Sequence, residues 1–220
     1  MTIGPLEGVI LQTLKKLSEI TGNYGIAIIL LTALIRIIIL PLTVKQEKSM
    51  KKMRDIQPEI DKLREKYKDN PQEMQIKMQE IYKKNQVNPL AGCLPLFVQM
   101  CIFITLFRVL NNANSIPNDA TFLWFNLKQP DALVKLPFTG VFSAINIFPL
   151  LNTVVTFFQQ KMMSTGTQDS NPQMKTMLYT LPLVILVMTY NMPSGVSLYW
   201  FTSSLLAVIQ QFFIMKGRNN

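Results

Sequence analysis

Histidine is absent from the 220 residues. That excludes His-based metal sites and any Ser/His or Cys/His nucleophilic pair. Charge is also scarce: charged residues make up 16% of the chain, where a soluble domain of this length carries about a quarter. Cysteine occurs only at positions 93 and 101, both in one apolar block. On a helix that spacing is about 12 Å of rise, too far for a disulfide, so Cys93 and Cys101 read as small packing residues. No Gly-x-x-x-x-Gly-Lys-Ser/Thr loop is present to cradle nucleotide phosphates. These absences leave no catalytic residue, metal set or cofactor site to assign, and the chain is not expected to be an enzyme.

What is present is apolar sequence with its charge gathered in one place. Hydrophobic residues make up 49% of the chain, and 12 of the 22 Lys and Arg lie between Lys45 and Lys84 with 8 of the 13 acids. Apolar blocks interrupted by one polar stretch are the signature of a polytopic membrane protein. The fold class expected is all-α, with five transmembrane helices, an N-terminal interfacial amphipathic helix and a cytoplasmic helical hairpin.

Residues 1–23 do not form a signal peptide, because Glu7, Lys15, Lys16 and Glu19 interrupt the apolar positions. Leu6, Val9, Ile10, Leu14, Leu17 and Ile20 instead recur at helical spacing, which suits a helix lying along the membrane surface. Packing on a soluble domain is the other reading of that stripe. The first span covers 24–44 and ends around Leu40-Pro41-Leu42-Thr43. Residues 45–88 form the hairpin, with Pro58 as a kink and Asn70-Pro71 capping its second helix. The second span covers 89–110 and contains Pro95. A loop at 111–143 holds Trp124 and Phe125 as an interfacial anchor. The third span, 144–163, is the most polar. After a linker at 164–173 come the fourth span at 174–190, a tight turn at 191–195, the fifth span at 196–215 and a tail at 216–220.

Lys and Arg set the orientation. With the N-terminus outside, the inner segments hold sixteen and the outer segments five, Arg36 being the remaining one. The C-terminus is then cytoplasmic. The hairpin's basic excess suits anionic lipid headgroups or ribosomal RNA, and an ordinary solvated hairpin accounts for it equally well.

Arg36 is the only charge deep inside a span, and no Asp or Glu lies in any span to pair with it. A central Arg costs roughly 2.5–3.5 kcal/mol on insertion scales. Two readings are open: the side chain snorkels toward the hairpin end, or it faces a water-filled cavity open to the cytoplasm. Thr32 lies one turn away, Gln99 near the middle of the second span, and Asn152, Thr156, Gln159 and Gln160 in the third. Ser203, Ser204, Gln210 and Gln211 lie in the fifth. Each alone is ordinary helix–helix glue; together they suggest a hydrated pocket.

The order of several motifs resembles the YidC family of membrane protein insertases over nearly the whole chain. The motifs are Arg36 with Pro41-Leu42-Thr43, then Met53-Arg54-Asp55-Ile56-Gln57-Pro58, then Val87-Asn88-Pro89-Leu90-Ala91-Gly92-Cys93-Leu94-Pro95 leading to Gln99. Later come Phe122-Leu123-Trp124, Gln160-Lys161-Met162, Pro193-Ser194-Gly195, Leu198-Tyr199-Trp200 and Gln210-Gln211. The resemblance implies a groove open to cytoplasm and lipid but closed on the outer side, with Arg36 as its arginine and Thr32 and Gln99 nearby; the polar span residues Thr156, Gln159, Ser203 and Gln210 are expected to line it as well. Phe157, Tyr199 and Trp200 on the third and fifth spans would form the edge along which a substrate slides. Met53, Arg54, Gln57 and Pro58 would belong to a mobile hairpin needed for activity. Implied partners are newly made one- or two-span membrane proteins with acidic tails, the Sec translocon, the ribosome and anionic lipids, with a single copy sufficing. Met100-Cys101 follows Gln99 where many relatives have Met-Pro, which implies a straighter second span. The preceding span and large periplasmic domain of Gram-negative relatives are not in this sequence, and the short tail weakens the ribosome expectation. The activity implied is insertion into the bacterial inner membrane without nucleotide hydrolysis. A small-solute channel or transporter, or an assembly scaffold for membrane helices, are the rival readings.

Overall fold

Pro5 opens helix α1 (Pro5–Thr21), and Gly22 closes it at φ 69°, donating its N–H to the Ser18 carbonyl at 2.8 Å. Only a left-handed residue can make that cap without cost, hence glycine. The structure is a computed structural model that describes residues 4–88, 94–112, 116–135, 137, 144–164 and 172–216. Eight helices and four short strands occur among them. Ile10, Leu14 and Ser18 of α1 are buried while Leu6, Val9 and Ile20 are exposed.

Asn23 caps α2 (Tyr24–Asp55), its side-chain oxygen accepting from the amides of Gly25 (2.8 Å) and Ile26 (3.3 Å). The helix passes through Pro41 and runs on to Asp55. The helix therefore continues unbroken past 40–44, where the first span is expected to end, as one rod of 32 residues. Lys, Gln, Glu, Met and Arg after Val44 are strong helix formers, and they carry the helix past the one backbone bond that proline removes. It breaks at Ile56, where Pro58 has no N–H to give the Arg54 carbonyl. Pro58 then occupies the first turn of α3 (Gln57–Lys66), a start rather than a kink.

Asn70 caps α4 (Pro71–Lys84) by accepting from the Glu73 amide at 3.3 Å. Ile56, Ile60, Ile81 and Val87 form a small core between α3 and α4, with Met53, Leu63, Met78 and Tyr82 against it. Helix α5 (Leu94–Asn111) follows; Cys93, Pro89 and Gly92 lie outside the described residues. Cys101 is exposed on α5, not packed inside as its sequence setting suggests.

The 111–143 loop is not featureless. Strand β1 (Thr121–Phe122) pairs antiparallel with β2 (Phe125–Asn126), and β3 (Ala132–Lys135) with β4 (Ala144–Asn146). The all-helical expectation becomes mostly helical, and helix α6 (Ile147–Ser164) starts three residues later than position 144 because residues 144–146 pair with β3. Phe125 is buried against Phe148 with ring centroids 4.9 Å apart, so only Trp124 of the expected anchor pair is exposed. Helices α7 (Pro172–Thr189) and α8 (Ser194–Lys216) complete the chain.

The main core joins Ile28 and Leu31 of α2, Phe103 and Leu106 of α5, and Val196, Tyr199 and Trp200 of α8, with Leu14 of α1 beneath. Helix α8 packs on α2, α5 and α6, which makes it the central element. Among the described helices, α2 and α8 are long and apolar enough to cross a membrane by length and composition.

Candidate functional site

Helix α2 carries Arg36 a little before its midpoint, and side chains of α5 and α8 converge on it. Its Nε and Nη2 donate to the Ser203 hydroxyl of α8 at 3.1 and 2.7 Å. Its Nη2 also reaches Gln99 Oε1 of α5 at 3.5 Å. Ser203 passes its own proton to Gln99 Oε1 at 3.3 Å, and Gln99 Nε2 donates to the Tyr199 hydroxyl at 3.0 Å. Gln210 completes the set by donating to the backbone carbonyl of Arg36 at 3.4 Å. Among the described residues no carboxylate lies within ion-pair distance of this guanidinium. Ser203 and Gln99, the partners of the half-buried cation, are both neutral dipoles.

Beside this cluster lies a cavity of about 60 Å³, room for a few water molecules. Arg36, Gln46 and Glu47 of α2 line it, with Gln99 of α5, Gln159 of α6 and Gln211 of α8. Sequence reasoning misses Glu47 and Gln46 as site residues, because the charge at position 45 reads as the start of the hairpin. The continuous α2 brings both back to the bundle, where they are 7% and 6% exposed. Glu47 faces Arg54 of the same helix at 3.7 Å, on the same side two turns along.

The remaining candidates divide. Thr32 is fully buried and its hydroxyl goes to the Ile28 carbonyl at 2.6 Å, so it does not join the Arg36 cluster. Thr156 is buried on α6 and its hydroxyl has no partner among the described residues. Tyr199 and Trp200, expected on the edge along which a substrate slides, are 1% and 7% exposed. Tyr199 turns its hydroxyl to Gln99, and Trp200 packs edge-on against Phe103 with centroids 4.9 Å apart. Their expectation is corrected: both residues fall on the inner face of α8, where the aromatic bodies fill the core. Phe157 is half-buried, 5.9 Å from the Tyr179 ring. Exposed apolar side chains on the two helices instead include Leu150, Leu151, Val154 and Phe158 on α6 and Leu205, Ile209, Phe212 and Phe213 on α8. In the hairpin, Met53 packs on the α3–α4 core, Arg54 faces Glu47, Gln57 donates to Asp61 at 2.9 Å, and Pro58 is exposed.

At the other end of the bundle the loop strands cover the helix starts. Asp131, 3% exposed, accepts from the amides of Ile147 and Phe148 at 2.7 and 2.8 Å, satisfying two of the orphan donors of α6. The amides of Ser194 and Gly195 at the start of α8 donate to the carbonyls of Gln129 and Leu127 at 2.7 and 3.0 Å. A Cβ at Gly195 would already stand 3.0 Å from that Leu127 oxygen. Asn146 donates to the Tyr190 carbonyl at 2.6 Å, and Tyr190 returns a bond to Ala144 at 2.8 Å.

Comparison with known proteins adds a second line of evidence to this geometry. The family model of the 60Kd inner membrane protein matches residues 16–220. The chain belongs to that family. The membrane protein insertase YidC of Fusobacterium nucleatum is 50% identical over 203 residues, covering 92% of this chain and 91% of that one. The membrane protein insertase MisCA of Bacillus subtilis is 41% identical over 211 residues, covering 94% and 76%. Among solved structures, an active YidC insertase with its first transmembrane domain resolved superposes with a TM-score of 0.67 at 27% identity. The match covers 93% of this chain and 45% of that one. The 60Kd family and these YidC relatives make this a bacterial inner membrane protein whose relatives are named for insertion, with no catalytic activity implied.

Proposed function

We propose that this chain is a membrane protein insertase that works through the Arg36 cavity without hydrolysing nucleotide. The observation that carries the reading is the guanidinium held by Ser203 and Gln99, with no carboxylate in ion-pair range among the described residues. Five helices, α2, α5, α6, α7 and α8, span the bilayer in this reading. The N-terminus and strands β1–β4 lie outside, and α1 rests on the outer surface. The α3–α4 hairpin and the C-terminus lie in the cytoplasm.

A client's polar tail faces about 30 Å of dry hydrocarbon. Entering a polar cavity partway across shortens that path, because the tail keeps hydrogen-bond partners for part of the way. Arg36 favours acidic tails by local electrostatics, which are stronger away from bulk water. The client's apolar segment then moves along the exposed Val154, Phe158, Ile209 and Phe212 of α6 and α8 into lipid. Hydrophobic partition drives that step. The strand pairs and Asp131 keep the outer end shut, so ions do not follow the tail. Clients are short one- or two-span proteins with acidic tails. The Sec translocon, ribosomes and anionic lipids are partners to be tested singly.

Reconstitution of the chain in liposomes with a one-span client tests the reading. Protease protection of the client's acidic tail should exceed that in empty liposomes and fall in an Arg36→Ala sample. Protection equal to empty liposomes would overturn it.

A further inference from the structure

Gln46 on α2 and Gln211 on α8 line the same cavity, and each is at least nine-tenths buried at 6% and 5% exposure. The Nε2 of neither has a hydrogen-bond partner among the described residues. Buried amides left this way weaken a fold, so two of them on facing helices mark a cavity wall that water satisfies at rest and a ligand's polar groups can take over. Glu47, next to Gln46 and 3.7 Å from Arg54, adds a carboxylate to the same wall.

Resting on the insertase reading above, we propose that Gln46, Gln211 and Glu47 form a second subsite that binds the extended backbone of the client, whatever its sequence. Every peptide unit offers a carbonyl for an amide donor and, proline aside, an N–H for a carboxylate. A phospholipid phosphate offers acceptors only, and so matches the amide donors but not the carboxylate. Gln46 lies ten residues beyond Arg36, about 15 Å along α2, and Gln211 eight beyond Ser203, about 12 Å along α8. An extended chain covers that distance in about four residues. The subsite therefore holds the backbone about four residues from the acidic group that Arg36 binds, which fixes depth while leaving side chains unread.

The test uses the full chain in nanodiscs and a fluorescent eight-residue peptide with a terminal Asp. A second peptide carries ester linkages in place of the amides four and five residues from that Asp. The ester removes the N–H donor and weakens the carbonyl acceptor, so wild type should bind it about tenfold more weakly than the amide peptide. Gln46→Met/Gln211→Met should bind both peptides at the weaker level, while melting no lower than wild type, since an apolar side chain replaces an unbonded amide. Equal binding of the two peptides by wild type would overturn the proposal, as would undetectable binding. So would discrimination that survives in the double variant, or displacement of the peptide by glycerophosphoglycerol, which would make the amides a lipid headgroup site. Liposome insertion separates the two claims. Backbone discrimination without insertion contradicts the insertase reading alone; insertion without discrimination contradicts the subsite alone.

Discussion

The hydroxyl of Ser203 accepts two N–H groups from Arg36, at 3.1 and 2.7 Å, and hands its proton to Gln99. One small side chain on α8 thus aims the only guanidinium in the middle of α2. Ser203→Ala removes that acceptor and leaves Arg36 with Gln99 at 3.5 Å. A hydrogen bond to a charged group is worth roughly 1.5–3 kcal/mol, so insertion of acidic-tail clients should fall about tenfold or more. Ser203→Thr keeps the acceptor and should stay within about threefold of wild type. An initial-rate insertion assay separates the two; equal rates for Ala and wild type would mean that Ser203 does not aim the charge.

Gly25 sits where the loop meets α2. A methyl group there would stand 2.2 Å from the Phe122 ring, closer than any packed carbon pair. Gly25→Ala should lower stability by about 1–3 kcal/mol, the usual cost of overpacking. In detergent melts, adding Phe122→Ala should restore part of that loss, so the double variant costs less than the two singles together. Full additivity would place Phe122 away from Gly25 in the working protein.

Asp131 joins β3 to the start of α6 through the amides of Ile147 and Phe148. Asp131→Ala should cost about 1–2 kcal/mol, as loss of a helix cap does. Asp131→Asn, which keeps one acceptor oxygen, should cost less. Because the loop closes the outer end in the proposed mechanism, the Ala variant should also make proteoliposomes leakier to a small dye. Unchanged melting and leak would assign the seal to other contacts.

Local sequence is most legible where a single residue dictates a terminus. Asn70 and Pro71 place the start of α4, and Pro5 that of α1, because caps and prolines act within one turn. Arg36 stands out because a charge in an apolar run is costly wherever it points. Its partners Gln99 and Ser203 are legible as candidates, but their meeting is a tertiary fact. The errors share a cause. Charge at Lys45 reads as the start of a separate hairpin, whereas helix propensity carries α2 unbroken to Asp55 and brings Gln46 and Glu47 to the cavity wall. Tyr199 and Trp200 are placed on the substrate-slide edge by the family resemblance. α8 is central, though, so most of its first two turns is interior, and no periodicity in an apolar helix says so. Strands β1 to β4 are two to four residues long, too short for alternation to register.

The central claim is that the charge at position 36 acts on the charge of the client's tail, and a charge swap tests it most directly. Wild type and Arg36→Glu would each be given two clients, identical except for Asp or Lys in the tail, in vesicles without a membrane potential so that no field pulls on the tail. Wild type should protect the Asp tail better, and Arg36→Glu should protect the Lys tail better. The same order of clients in both proteins would contradict the claim.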